Sequence, residues 1–237
     1  MKAVVLDIEG TTTPISFVTG TLFPYARRRL RGYLEQCERA PEWRALVERF
    51  RQEHAADRQA DATVPEWSGE DDRGSIDAYV RWLMDRDRKS PALKALQGRI
   101  WEEGYRRGEL VSDVFPDVPR ALERWQQAGV AAGIYSSGSV LAQQWLFRCS
   151  SAGDLTRFLR WHFDTAVGPK TVAGSYARIA ATIGLPPADV LFVSDIVVEL
   201  DAARAAGLRT ALAVRPGNPP PPAGHGHEIV TSFDDLE

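Results

Sequence analysis

A short apolar run, Ala3-Val4-Val5-Leu6, opens the chain and stops at Asp7, which predicts a first strand ending on a carboxylate. From about Leu22 to Leu110 the texture is helical, rich in Arg and Glu, with no strand pattern. Leu22, Tyr25, Leu30, Tyr33 and Leu34 approximate one helical stripe; Trp43, Leu46, Val47 and Phe50 approximate another. A third helix is predicted from Ile76 to Met84 and a fourth from Pro91 to Arg107, with the proline suited to a first helical turn.

From Val114 the pattern changes to alternating helices and short apolar strands. A helix from Val118 to Gln127 ends at Gly129, and Val130 to Tyr135 reads as a buried strand. A Ser-Ser-Gly-Ser turn follows, then a helix from Val140 and a strand over Trp161 to Phe163. Lys170 precedes a helix from Val172 to Ile183. Val190 to Val193 is a strand ending at Ser194-Asp195, Glu199 to Ala206 a helix closed by Gly207, and Leu208 to Val214 one further strand. The tail from Arg215 to His227, with four consecutive prolines, reads as irregular and extended.

Strands alternating with helices imply an α/β protein with a Rossmann-like parallel sheet and helices on both faces. The first strand stands alone until about residue 130, so the helical block reads as a cap inserted into that domain. The expected division is residues 1–20 with 111–237 as core and 21–110 as helical cap.

Composition narrows the class. The 237 residues are 44% hydrophobic and carry a formal charge of -3, which gives ample core and no general pull toward nucleic acid or an anionic membrane. Met1-Lys2 leads into too few apolar residues for a secretory signal, and no run approaches the roughly 20 of a membrane span, so a soluble cytoplasmic protein is expected. Cys37 and Cys149 fit no redox or metal spacing and read as packed thiols.

Open α/β sheets bind ligands beyond the carboxyl ends of their strands. The polar residues at those ends are Asp7 and Glu9, then Ser136 and Ser137, then Lys170, then Asp195. Carboxylates alone would repel one another, so a hard divalent cation such as Mg²⁺ is the simplest explanation of the set. Hydroxyls, helix-start amides and a lysine suit phosphate oxygens. In that arrangement Asp7 is the nucleophile that forms an aspartyl-phosphate, Glu9 the acid and base, and Asp195 a further metal ligand.

Other polar residues read as structural. Glu199 and Asp201 are helix-start residues, with Glu199 also able to orient the site from behind. His54, His162, His225 and His227 form no ligand set, and Arg27, Arg28, Arg29 and Arg31 read as a solvated helix face. In Trp101-Glu102-Glu103-Gly104-Tyr105 the aromatics suit a core, while the glycine would let a backbone approach a ligand.

Asp7-Ile8-Glu9-Gly10-Thr11-Thr12 resembles the first motif of the haloacid dehalogenase-like superfamily, with Glu9 where most of its phosphatases carry Asp. The longer run to Val18 resembles the enolase-phosphatase family of methionine salvage. So do Gly98 to Tyr105, Ile134 to Ser139, Gly168-Pro169-Lys170-Thr171, Ser194-Asp195 and Val214-Arg215-Pro216-Gly217-Asn218. The resemblance implies a monomeric, Mg²⁺-dependent enzyme acting on a small phosphorylated diketone, 2,3-diketo-5-methylthiopentyl-1-phosphate. It would be enolised and then dephosphorylated to the acireductone 1,2-dihydroxy-3-keto-5-methylthiopentene. The resemblance carries over Asp7, Glu9 and Asp195 as the metal-binding set, and Ser136, Ser137 and Lys170 as phosphate or substrate contacts. The enolisation base stays open between Glu9 and Glu102 or Glu103. Rival readings are a phosphatase or mutase of the same superfamily with another substrate and, more distantly, a phospho-accepting receiver domain.

Overall fold

The computed structural model describes residues 1–88 and 90–236; Lys89, within the predicted helical stretch, lies outside them, as does Glu237. The contacts divide the chain into two compact units, Met1–Thr21 with Tyr105–Glu237, and Leu22–Gly104.

The first unit is built on one sheet. Its strands are β1 (Ala3–Leu6), β2 (Ala131–Tyr135), β3 (Leu159–Phe163), β4 (Val190–Ser194), β5 (Arg209–Ala213) and β6 (Glu228–Val230), in the order β3-β2-β1-β4-β5-β6. All pairings are parallel. β1 and β4 are buried along their whole length, which is why both read as unbroken apolar runs. Leu6 pairs with Ile134 on one side and Val193 on the other, so the carboxyl ends of β1, β2 and β4 emerge together. The strand order reverses between β1 and β4, the place where such sheets open a ligand crevice.

A one-turn helix α1 (Ile15–Phe17) follows β1 and runs through a π-helical turn, Val18–Leu22, into α2 (Phe23–Cys37). The second unit consists of α2 with α3 (Trp43–Ala60), α4 (Asp72–Asp85) and α5 (Pro91–Arg106). Of the predicted stripes it buries Leu22, Tyr25, Leu30 and Leu34, and Val47 and Phe50 of α3, while Tyr33, Trp43 and Leu46 are half-buried. The Asp71 carboxylate caps α4 by accepting from Gly74 N at 2.8 Å. His54 is buried in an aromatic cluster with Trp67 and Tyr79, its Nε2 lying 2.7 Å from Pro65 O. Arg28, Arg29 and Arg31 are exposed and Arg27 pairs with Asp85 at 2.6 Å, so this is the solvated face that was expected. Gly104 serves packing, since a Cβ there would stand 2.6 Å from Tyr25 Oη.

Returning to the first unit, the remaining helices are α6 (Asp117–Gln127), α7 (Val140–Arg148), α8 (Ala173–Ile183) and α9 (Val197–Ala205). Ala3 and Val5 of β1 share a core with Tyr135, Phe192, Tyr176 and Ile179 of α8, and Leu200 of α9. Val4 and Leu6 project to the opposite face by the strand pleat. α6 buries Val118, Ala121, Leu122 and Trp125 at helical spacing and packs against β2. The strand β6 was not anticipated: only one of its three residues, Val230, is buried. Among the described residues no helix is long and apolar enough to cross a membrane.

Candidate active site

Asp7 leaves β1 with its amide donating to Val193 O at 2.9 Å, so pairing with β4 continues to the residue itself. Its carboxylate is nearly buried. Oδ1 accepts from Ile8 N at 2.8 Å and lies 2.7 Å from Lys170 Nζ; Oδ2 lies 3.3 Å from Ser194 Oγ. Lys170 also lies 2.6 Å from Glu199 Oε2, which accepts from Ser194 Oγ at 3.0 Å. Lysine, two carboxylates and a serine thus form one closed network at the ends of β1 and β4.

Lys170 arrives there because its loop is held carbonyl by carbonyl. Tyr135 Oη donates to Gly168 O at 2.8 Å, Ser175 Oγ to Pro169 O at 2.8 Å, and Tyr176 Oη to Lys170 O at 2.7 Å. These donors belong to β2 and α8, so the sheet and its covering helix together aim the ammonium. Lys170 Nζ lies 5.7 and 5.9 Å from the Tyr135 and Phe192 ring centroids, an apolar lining that a cation tolerates.

The electrostatics follow from burial. Desolvation works against the Lys170 charge, but Asp7 and Glu199 outweigh it and its pKa is raised. Burial, and then the Asp7 charge, raise the Glu199 carboxyl. The same two causes push Asp195 from 3.8 up to about 7. Three carboxylates around one ammonium leave an excess of negative charge that a bound cation would relieve.

Asp195 follows β4 and rests against the turn after Asp7, at Gly10. That glycine has φ +67°, and a Cβ on it would stand 2.4 Å from Asp195 Oδ2. No other residue type allows the approach. Glu9 is half-buried on the same turn, between the Asp7 end and Gly10. Ser136 is buried after β2, its Oγ accepting from Gly138 N at 3.2 Å, while Ser137 is exposed. Ser139 caps α7 by accepting from Ala142 N at 3.3 Å, and Gln143 Nε2 donates to Gly138 O and Phe163 O at 3.1 and 2.8 Å. The loop therefore places the start of a helix and the residues Ser136 and Ser137 at the end of the strand next to β1, groups of the kind an anion site uses.

The structure brings Asp7, Lys170 and Asp195 to one strand-end edge with Ser136, Ser137 and Glu9. Glu199 is, as expected, a helix-start residue able to orient the site from behind: its carboxylate lies 2.6 Å from Lys170 Nζ. It sits in the first turn of α9, which begins just past Asp195, and that turn folds its side chain back on the strand end. The Ser194 hydroxyl was passed over, because its bond to Glu199 depends on that turn. The signal available was the spacing Ser194-Asp195 to Glu199 across a strand-to-helix turn. No three His, Cys, Asp or Glu side chains among the described residues are arranged to hold a metal by themselves.

The remaining candidates are structural. His227 Nδ1 lies 2.8 Å from Thr210 Oγ1 and Nε2 lies 3.1 Å from Asp201 Oδ1, and burial lowers its pKa. Cys37 and Cys149 are free thiols whose pKa values burial raises, which disfavours the reactive thiolate. Trp101 Nε1 donates to Leu22 O at 2.8 Å, a packing bond of the helical unit.

A profile of the haloacid dehalogenase-like hydrolases matches residues 1–207. The chain belongs to that family. Within it, the chain is 52% identical to an enolase-phosphatase E1 of Synechococcus elongatus, over 100% of this chain and 98% of that one. It is 44% identical to an enolase-phosphatase E1 of Pseudomonas aeruginosa over the same shares, and 45% identical to one of Drosophila persimilis over 99% and 94%. The crystal structure of the UTR4 protein of Saccharomyces cerevisiae superposes with a TM-score of 0.79 at 34% identity, covering 99% of both chains. A CbbY protein of Rhodobacter sphaeroides, at 16% identity and a TM-score of 0.61, shares the fold.

Proposed function

We infer that the chain is an enolase-phosphatase of methionine salvage, converting 2,3-diketo-5-methylthiopentyl-1-phosphate to 1,2-dihydroxy-3-keto-5-methylthiopentene and phosphate. The observation that carries the substrate is the 44–52% identity, over essentially the full chain, to enolase-phosphatases E1. The buried Asp7–Lys170 pair at the β1 end supports the phosphatase half.

The donor set fits Mg²⁺. Asp7 and Asp195 offer two hard oxygen ligands, the bare Gly10 leaves room for Asp195 beside the turn, and the excess negative charge would be relieved by a cation. Glu9 belongs to the same turn and is assigned to the metal-binding set with them. Mg²⁺ keeps several waters and binds substrate phosphate, so two or three protein ligands suffice. Bound there, it supplies charge neutralisation for the phosphate oxygens.

The residues of the chain do the rest. The Asp7 carboxylate attacks phosphorus, forming an aspartyl-phosphate, while Lys170 and the Ser136–Ser137 turn hold phosphate oxygens. Glu9 gives a proton to the leaving enolate oxygen and afterwards takes one from water, which frees Asp7. Enolisation removes a proton beside a carbonyl, and Glu9 and the Glu102–Glu103 pair are the candidate bases. The reading keeps the expectation, implied by the family resemblance, of a monomer working on a small molecule.

The test follows enol absorbance and phosphate release together, with the diketone phosphate, with and without Mg²⁺. Asp7→Asn is expected to lower phosphate release by at least about 10³-fold, the scale of losing a catalytic nucleophile. Phosphate release by that variant at the wild-type rate would exclude Asp7 as the nucleophile. Absence of enol in the wild type would exclude the enolase half.

A further inference from the structure

The turn carrying Asp7 settles its inward hydrogen bonds internally. Ile8 O accepts the Thr11, Thr12 and Thr13 amides at 3.2, 2.9 and 2.9 Å, and Thr13 O accepts the Gly10 amide at 2.8 Å. Its outward carbonyls are taken one after another by groups distant in sequence. Gly10 O accepts from Asn218 Nδ2 at 2.8 Å, Thr11 O from Arg215 Nε at 3.0 Å, and Thr12 O from Phe115 N at 3.0 Å.

Two of these donors are side chains of the segment that follows β5. Arg215 is anchored on its far side. Nη1 donates to Asp117 Oδ2 at 2.7 Å, at the start of α6, and to Thr231 O at 2.9 Å. The guanidinium lies 4.8 and 4.2 Å from the Phe115 and Phe233 ring centroids. The Arg215–Asp117 pair is buried, with side chains 3% and 8% exposed. Burying an ion pair yields little net stability, because desolvation offsets the attraction, and apolar residues could close the same corner. What they could not do is hold a carbonyl and a carboxylate in one plane at once, which a guanidinium does.

Asn218 has a second property. Its Oδ1 is buried without a partner and lies 3.1 Å from the point where a Cβ on Gly10 would stand, the point that Asp195 Oδ2 approaches to 2.4 Å. The amide therefore fixes the peptide against which Asp195 rests.

We propose that Arg215 and Asn218 are positioning residues for the reaction: by gripping the Gly10 and Thr11 carbonyls they set the direction in which Asp7 and Asp195 face, without touching the reacting atoms. The proposal rests on the reading of Asp7 as nucleophile. A displacement of about 1 Å at a reacting group is enough to lower a rate by about 10²-fold, so a clamp of this kind carries kinetic weight even where its stability contribution is small.

Three variants test it. Arg215→Lys keeps a positive charge beside Asp117 but cannot serve Thr11 and Asp117 together. Asn218→Ala removes the donor to Gly10 O. Arg124→Ala is the control: Arg124 Nη2 donates to Phe233 O and Leu236 O at 2.6 and 3.0 Å, tying the same C-terminal segment to α6 without contact to the turn. For each, kcat and KM for phosphate release are measured at a temperature where thermal unfolding shows the protein folded. The affinity for beryllium fluoride with Mg²⁺, a mimic of the aspartyl-bound phosphoryl group, is read by fluorine NMR.

Arg215→Lys and Asn218→Ala are expected to lower kcat by about 30- to 100-fold with KM within about threefold, and to weaken beryllium fluoride by about tenfold. Arg124→Ala is expected to lower the unfolding temperature and leave these values at wild type. A kcat within about threefold of wild type in both clamp variants overturns the proposal, as does an equal fall in the control. If Arg215→Lys does not fold, Asn218→Ala decides alone. Failure of the nucleophile reading is distinguishable, because the wild type itself would then bind no beryllium fluoride, and the proposal would fall with it.

Discussion

Lys170 keeps its charge in a nearly sealed site because Asp7 and Glu199 stand 2.7 and 2.6 Å from its ammonium. Lys170→Met removes that counter-charge and leaves two buried carboxylates facing each other. It is expected to destabilise the Mg²⁺-free protein by about 3 kcal/mol at pH 7, as breaking a buried pair does. The loss is expected to be smaller at pH 5 than at pH 7, because burial raises the Glu199 carboxyl and its protonation removes one of the two facing charges. Urea unfolding at the two pH values measures both statements, and a loss independent of pH would contradict them. Phosphate release is expected to fall by about 10²-fold or more, the scale of removing a charge aimed at a transition state. Asp7, Asp195 and Lys170 were legible in the sequence because each closes an apolar run or precedes a helix, at positions where only chemistry or a turn calls for charge. The Ser194 hydroxyl and the partner that Glu199 takes were not. Their meaning depends on α9 folding back onto β4, and no pattern along the chain states which side chain of a helix's first turn faces the strand it follows.

The elements divide in the same way. β1 and β4 could each be read from four consecutive apolar residues, since a parallel strand covered on both faces has no polar side to interrupt it. β6 could not, because an edge strand of three residues with one buried side chain leaves no periodicity. α1 and the π-turn were equally silent, being too short for a stripe. The turn between β1 and α1 carries the sharpest constraint, at Gly10. Gly10→Ala places a methyl group 2.4 Å from the Asp195 carboxylate and forces a left-handed backbone on a residue that resists it. The backbone alone costs about 1–2 kcal/mol. The displaced carboxylate is expected to raise the Mg²⁺ concentration for half-maximal phosphate release by about tenfold, the factor set by about 1.4 kcal/mol. An unchanged Mg²⁺ dependence, measured by titration, would show that Asp195 has room to move aside.

For the whole chain, the site's charge sets how stability varies with pH. The Asp195 carboxyl is pushed up to about 7 from 3.8, first by burial and then by Asp7. A raised folded-state pKa gives stability that is fully present below about 3.8 and is lost as pH rises through about 7. The Mg²⁺-free protein is therefore expected to unfold at lower urea at pH 8 than at pH 5, and Mg²⁺ to restore more stability at pH 8. Equal urea midpoints at the two pH values without Mg²⁺ would contradict the assignment. The position of β1 also has a consequence for synthesis. The strand is synthesised well before its two neighbours, which begin at Ala131 and Val190. At ~5–20 residues per second, Ala3-Val4-Val5-Leu6 waits on the order of ten seconds or more before either partner exists. By the end of that interval the segment Leu22–Gly104 has been synthesised and has its own contacts available. The nascent chain is thus expected to complete its helical segment while the strand that ends on Asp7 is still an unpaired apolar thread.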